Sequence, residues 1–221
     1  MLESNQLQID LQGYWHAGSG RSAGALLDSL VQKNTVGLPV VGGRHIKGLL
    51  RHALAKAEVL NWFTEIELPE GPAKTLETLI FGSANQQEGR FNTLPGLLIV
   101  GDASLPEAEA TWLAATEQAE LRQYLYSQLS STAITELGTA KQNSLRAIEV
   151  SLPMQLKSEL SMQVTAVDEA HRAQQQAWIA STAAWQPIIE ASSLVDSLGA
   201  SRSRGLGEAI FSWQKSKGGK Q

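Results

Sequence analysis

Three stretches of the sequence gather residue types able to hold a phosphate or to act on one. The first runs Gly37-Leu38-Pro39-Val40-Val41-Gly42-Gly43-Arg44-His45-Ile46-Lys47-Gly48-Leu49-Leu50-Arg51. Gly42 and Gly43 open a segment with helical spacing, and glycines at a helix N-terminus leave its unpaired N–H groups sterically free to meet an anion. Arg44, Lys47 and Arg51 stand three and four residues apart, which makes one row of cations starting at that helix end. The same cations also suit the wet face of any amphipathic helix. The second stretch is Gly199-Ala200-Ser201-Arg202-Ser203-Arg204-Gly205-Leu206-Gly207. Arg202 and Arg204 between glycines can combine guanidinium and backbone donors around phosphates. The third is Asp28, the single acid between Leu11 and Ala57, a segment that holds six Lys/Arg. A carboxylate repels phosphate, so its presence among these cations needs a reason. One is a divalent cation, Mg²⁺ or Mn²⁺, that neutralises a scissile phosphate while a 2′-hydroxyl attacks in line. Another is an aspartate paired with Arg21 or Lys33, or capping a turn. A lone carboxylate makes a weak metal site, most of whose ligands would be nucleic-acid oxygens and water.

Positioning these residues requires strands and helices that the apolar pattern sets out. Leu7, Ile9 and Leu11 alternate with polar residues, which predicts a strand over Gln6–Gln12. Ile46, Leu49, Leu50, Ala53, Leu54 and Ala57 recur at helical steps, which predicts a helix from Gly43 to Leu60. A short strand is expected in Gly96–Asp102 and a helix from Glu107 to about Leu129. Leu145–Leu152 and Leu156–Val167 read as strands separated by Pro153, and Asp168 caps a helix reaching about Ala184. Pro187 begins a further helical segment or a kink, and Ala209–Trp213 is a last strand. Without its middle the order is strand, helix, two strands, helix, strand. This predicts an α+β, ferredoxin-like or RRM-like antiparallel sheet with two helices on one face. We read 1–221 as one domain, with an inserted acidic lobe over roughly 61–130.

Composition bounds the function classes. The 221 residues are 43% hydrophobic and 18% charged, which is globular rather than disordered or fibrous. No run approaches the length of a bilayer span, and Met1–Asn5 does not read as a signal peptide, so no membrane role and a cytoplasmic address are expected. Absence of cysteine removes disulfides, thiolate zinc sites and cysteine nucleophiles together. His16, His45, His52 and His171 offer no zinc spacing with a third ligand. The net charge of −4 hides a segregation: from Glu58 to Glu136 twelve acids face three bases, whereas the flanks are basic. A local basic face suffices to displace counterions from a phosphate backbone.

The first segment resembles the Gly-rich, lysine-containing helix start of the RAMP superfamily, and 199–207 resembles that superfamily's C-terminal Gly-rich loop. Leu79-Ile80-Phe81-Gly82 with Gly101-Asp102-Ala103, and Gly138-Thr139-Ala140-Lys141-Gln142-Asn143-Ser144-Leu145-Arg146-Ala147-Ile148-Glu149, are similar to stretches of the backbone subunits of type III CRISPR effectors. The resemblance implies an RRM-like subunit that stacks with copies of itself or related RAMP subunits along a CRISPR guide RNA, beside other effector subunits. It also implies a thumb-like hairpin, over roughly 131–150, wedged into the duplex of guide and complementary target RNA. By the same resemblance Asp28 cleaves the target with Mg²⁺ or Mn²⁺. His16, in a turn with Tyr14 and Gly18, contacts guide RNA with Arg21, Gly43, Arg44, His45, Lys47, Arg51, Lys141, Arg146, Arg202, Arg204 and Gly205. Two alternatives stay open. One is a purely architectural RNA-binding subunit. The other is a guide-processing endoribonuclease in which the His45 imidazole activates a 2′-hydroxyl.

Overall fold

The computed structural model describes residues 4–24, 27–83 and 93–215. At its centre is strand β1 (Ser4–Leu11), where Asn5, Leu7, Ile9 and Leu11 are buried in strict alternation. β1 pairs antiparallel with β5 (Met154–Met162) on one side and β6 (Ala209–Lys215) on the other, in registers that set Ile9 opposite Leu156 and Phe211. β2 (Leu98–Val100) adds to the outer edge of β5, giving the order β2-β5-β1-β6. With these four counted in chain order, the arrangement is the ferredoxin-like one expected.

Helix α1 (Gly43–Val59) lays Ile46, Leu50, Ala53, Leu54 and Ala57 on the inner face of this sheet. That stripe, with Trp15, Leu79, Ile80 and Trp178, forms one apolar core. Each fully buried aliphatic side chain contributes roughly 1.5–3 kcal/mol. The second helical layer is α4 (Glu169–Ala180) followed by α5 (Gln186–Ala191). Asp168 caps α4 by accepting from His171 N–H at 2.9 Å, and Pro187 sits in the first turn of α5. α4 also buries Gln174 and Gln175. Gln174 bonds Pro69 O, Ala73 O and Ala73 N–H, while Gln175 bonds Pro95 O and the N–H groups of Thr165 and Ala166. These amides close loops that would otherwise bury unpaired backbone groups.

Three sequence expectations change. The strand expected at Leu145–Leu152 is β4 (Arg146–Ser151), and it leaves the main sheet to pair with β3 (Tyr126–Ser131) in a separate hairpin. Its place beside β5 is taken by β2, whose buried Leu98, next to buried Leu97, completes the core. The stretch 61–130 holds this edge strand of the main sheet and α2 (Leu76–Phe81). The long helix from Glu107 to Leu129 is in fact α3 (Glu107–Ala114), a 3₁₀ stretch Thr116–Leu125 and then β3. Ala115 turns extended, and the Arg122 guanidinium folds back to donate to the carbonyls of Leu113, Ala114 and Ala115. A cation satisfying the last helical carbonyls ends the helix there. β5 likewise stops at Met162, short of Val167: Gln163 N–H still bonds Leu97 O, but the N–H groups of Thr165 and Ala166 are held by Gln175.

Candidate nucleic-acid interface

The N-terminus of α1 is set against the end of β2. Gly43 N–H donates to Asp102 Oδ1 at 2.7 Å, and a Cβ at Gly43 would overlap the carbonyl of Val100. Gly43 is thus buried for close packing, and its amide already serves a carboxylate. Arg44 and His45, the next two residues, are exposed. Lys47 and Arg51 do not continue their row. Lys47 Nζ donates to Leu98 O at 2.6 Å, and burial, then the neighbouring Arg51, lowers its pKa. Arg51 pairs with Glu77 and donates to Gly82 O at 2.7 Å. Their charged ends are occupied by β2 and α2.

The Gly-rich loop packs directly behind Arg44 and His45. Gly199 N–H donates to His45 Nε2 at 3.2 Å, Ala200 N–H to His16 O at 2.8 Å and Gly207 N–H to Tyr14 O at 2.8 Å. Gly199 and Gly207 have positive φ, and a Cβ would strike the carbonyl of His16 at the one and of Leu198 at the other. Between them Arg202–Arg204 form a 3₁₀ turn with both arginines exposed, closed by Gly205 in the left-handed region. A cleft of about 370 Å³ opens at this junction, its walls including Gly18, Gln32, Arg44, His45 and Asp102. His45 Nε2, the atom that holds Gly199, is not free to take a proton from a ribose.

His16 does not reach the surface. At 3% exposure its Nδ1 lies 2.6 Å from Glu149 O and its Nε2 3.0 Å from Ser29 Oγ. It anchors the Asp28 loop to the hairpin. Asp28 itself is exposed and clasps β4: its N–H donates to Ala147 O at 2.8 Å and its Oδ2 accepts Ala147 N–H at 2.9 Å. Glu149 extends the clasp by accepting from Val31 N–H at 3.0 Å and Lys33 Nζ at 2.8 Å, with Lys33 also 3.7 Å over the Tyr126 ring. Lys33 therefore pairs with Glu149 rather than Asp28. Ala25 and Leu26, at the start of this loop, lie outside the described residues. Arg21 is exposed nearby, and Lys141 and Arg146 are exposed on the hairpin, whose tip also presents Ile134 and Leu137 to solvent.

As a metal ligand Asp28 brings one oxygen beyond the one bonded to Ala147. Among the described residues no group of three His, Cys, Asp or Glu could hold an ion. The donor chemistry fits a hard cation of the Mg²⁺ type only with RNA oxygens and water completing the shell. Sequence reading missed two residues of this region. Asp102 caps α1 from 59 positions away, and Glu149 clamps a loop 116 to 118 positions away. Both stand in stretches that resemble the family, but nothing local to either says which distant backbone it holds.

Across residues 8–210 the sequence matches the model of the RAMP superfamily. The chain belongs to that superfamily. No curated protein matches it. Among solved structures, this RAMP fold is similar to a chain of the type III-B Cmr-beta complex bound to cognate target RNA, with a TM-score of 0.61 at 11% identity. That likeness covers 95% of this chain and 96% of the other. A chain of the Cmr-beta complex in its apo state gives 0.57 at 12% identity, covering 97% and 98%. A chain of a type IV-B CRISPR complex gives 0.56 at 15%, covering 99% and 92%. Among the described residues no helix is long and apolar enough to cross a membrane.

Proposed function

We propose that this RAMP chain is a guide-RNA-binding backbone subunit of a CRISPR effector complex, stacking with copies of itself or related subunits along the guide. The observation that carries this reading is the junction of two Gly-rich segments through Gly199 and His45. Arg44 and His45 line the cleft at this junction, Arg202 acts electrostatically on the His45 ring, and Arg204 is exposed on the same turn. Exposed cations on both segments suit a phosphate backbone, as a subunit serving guides of any sequence requires, and the one ring in the cleft wall, His45, is engaged by Gly199 N–H. Lys47 and Arg51, engaged within the protein, are not among these cations. The hairpin, with Lys141, Arg146 and its apolar tip, is the part that would enter the duplex of guide and target. The test is to express the chain with its neighbouring subunits and purify the assembly. A discrete small RNA should accompany it, and Arg202→Ala with Arg204→Ala should reduce that RNA regardless of its sequence. Assembly without RNA would overturn the reading.

A second reading, target cleavage, is favoured by the way Asp28 is held. Its backbone and carboxylate both bond Ala147 of β4, so the carboxylate is fixed against the hairpin at the end of the ladder nearer its tip. Mg²⁺ or Mn²⁺ bound there would supply charge neutralisation at a target phosphate. The chain's own contribution is positional: the β4 clasp orients Asp28, and the exposed cations keep the strand in place. A target 2′-oxygen attacking the adjacent phosphorus, with departure of the 5′-oxygen, leaves a 2′,3′-cyclic phosphate and a 5′-hydroxyl.

A further inference from the structure

The imidazole of His45 is used in a way that neither phosphate contact nor proton transfer requires. Its Nε2 accepts Gly199 N–H at 3.2 Å, so that nitrogen carries a lone pair and the ring proton sits on Nδ1. Gly199 has no alternative seat: its φ is 89°, and the His16 carbonyl lies where its Cβ would be. On its Gly199 side the Gly-rich loop is held by one side chain, His45, and one backbone acceptor, His16 O, which takes Ala200 N–H, while at its other side Gly207 N–H bonds Tyr14 O and Gly207 O takes Leu198 N–H. Arg202 follows three residues after Gly199 and acts electrostatically on the His45 ring. A cation at position 45 would repel Arg202 and could not accept the amide.

We propose that His45 is a positioning residue whose neutral imidazole latches the Gly-rich loop to α1 and so aims Arg202 and Arg204 at a guide phosphate. The proposal rests on the RNA-binding reading above for its ligand, and on the geometry alone for the latch. The charged groups around the ring are Arg202 from the loop, Arg44 on its own helix, and Asp102, which shares the cleft wall. Arg204 lies two residues beyond Arg202. Partial burial, and then Arg202, lower the His45 pKa from its ordinary 6.5. The latched ring thus binds a proton less readily than a released one. The latch is complete above about pH 6.5 and is lost as the pH falls through the lowered value.

The experiment compares His45→Gln, His45→Lys and His45→Ala by hydrogen exchange at the Gly199 amide in the free chain. Glutamine offers an acceptor at the place of Nε2, whereas lysine offers only charge. At pH 8 Gly199 in wild type and His45→Gln should exchange roughly fivefold more slowly than in the other two, the factor carried by one net hydrogen bond. As the pH falls below 6.5 and through the lowered value, the wild-type protection should be lost, after correction for intrinsic exchange, while that of His45→Gln persists. Protection in His45→Lys equal to wild type, or wild-type protection independent of pH, would overturn the latch. Guide retention is then read at pH 8. Retention by wild type and His45→Gln with loss in His45→Lys supports positioning, because a phosphate-contacting cation would show the reverse order. Latch behaviour as expected with guide retention unchanged in all variants would overturn the RNA-facing role of the loop and leave the latch standing.

Discussion

The cations of the first helix separate by what their charged ends touch. Lys47 ends on a backbone carbonyl and Arg51 on Glu77 and Gly82, while Arg44 is exposed to solvent, as are Arg202 and Arg204. Lys47→Ala should therefore cost about 1 kcal/mol of stability, the net worth of one hydrogen bond, and leave the salt dependence of RNA binding as it is. Arg44→Ala should do the opposite, flattening that dependence by about 0.7 in log–log slope if it loses one single-strand phosphate contact. Denaturant melts and binding measured across a salt series separate the two. Asp28 belongs to the same scale. In the assembled complex with Mg²⁺ or Mn²⁺, Asp28→Ala should abolish cleavage of a complementary RNA while binding holds or tightens, because a repulsion is removed. Products of the wild type should end in a 5′-hydroxyl. Equal cutting by both proteins would assign the chemistry to another residue.

Among the elements, the Gly-rich loop and α4 show how much backbone accounting decides. Gly205 and Gly207 both have positive φ, but a Cβ meets open space at Gly205 and the Leu198 carbonyl at Gly207. Gly205→Ala should cost only the left-handed strain, about 1 kcal/mol, whereas Gly207→Ala must displace the chain and should disorder the loop. Melting temperature and RNA retention together should rank the two in that order. In α4, Gln175 satisfies two N–H groups and a carbonyl of neighbouring loops. Gln175→Leu keeps the volume and orphans all three, so it should destabilise by at least about 2 kcal/mol. A loss much below this in a denaturant melt would mean that water or a shifted loop replaces the amide.

For the whole molecule, charge and surface are partitioned by the fold. The solvent face of the main sheet carries Gln6, Gln8, Asp10, Lys157, Glu159 and Ser212 from neighbouring strands in register, while Phe211 and Trp213 pack inward. Single-stranded RNA on an RRM sheet needs aromatic platforms, and this face has none among the described residues. Lys157→Ala should accordingly leave guide retention unchanged, whereas the double change at Arg202 and Arg204 lowers it. The net charge of −4 is no obstacle: the acids crowd into 58–136, Glu58 lies at the opposite end of α1 from Arg44, and Asp102, the acid of that stretch in the cleft wall, is engaged by Gly43 N–H.

The sequence by itself determined what local physics fixes. Alternation gave β1 and β6, the 3.6-residue stripe gave α1 within a residue of its end, and Asp168 and Pro187 marked the starts of α4 and α5. The two Gly-rich segments were visible as composition. Only the tertiary structure decided which strand fills the edge beside β5, because β2 and β4 are both short and compete through burial rather than pattern. It also decided the fate of each cation and histidine. Whether Lys47 meets water or the Leu98 carbonyl, and whether His16 faces a groove or the backbone of Glu149, depends on partners 51 and 133 residues away. Periodicity reports which face a residue occupies, but what lies across from that face is set by the packing of the whole chain.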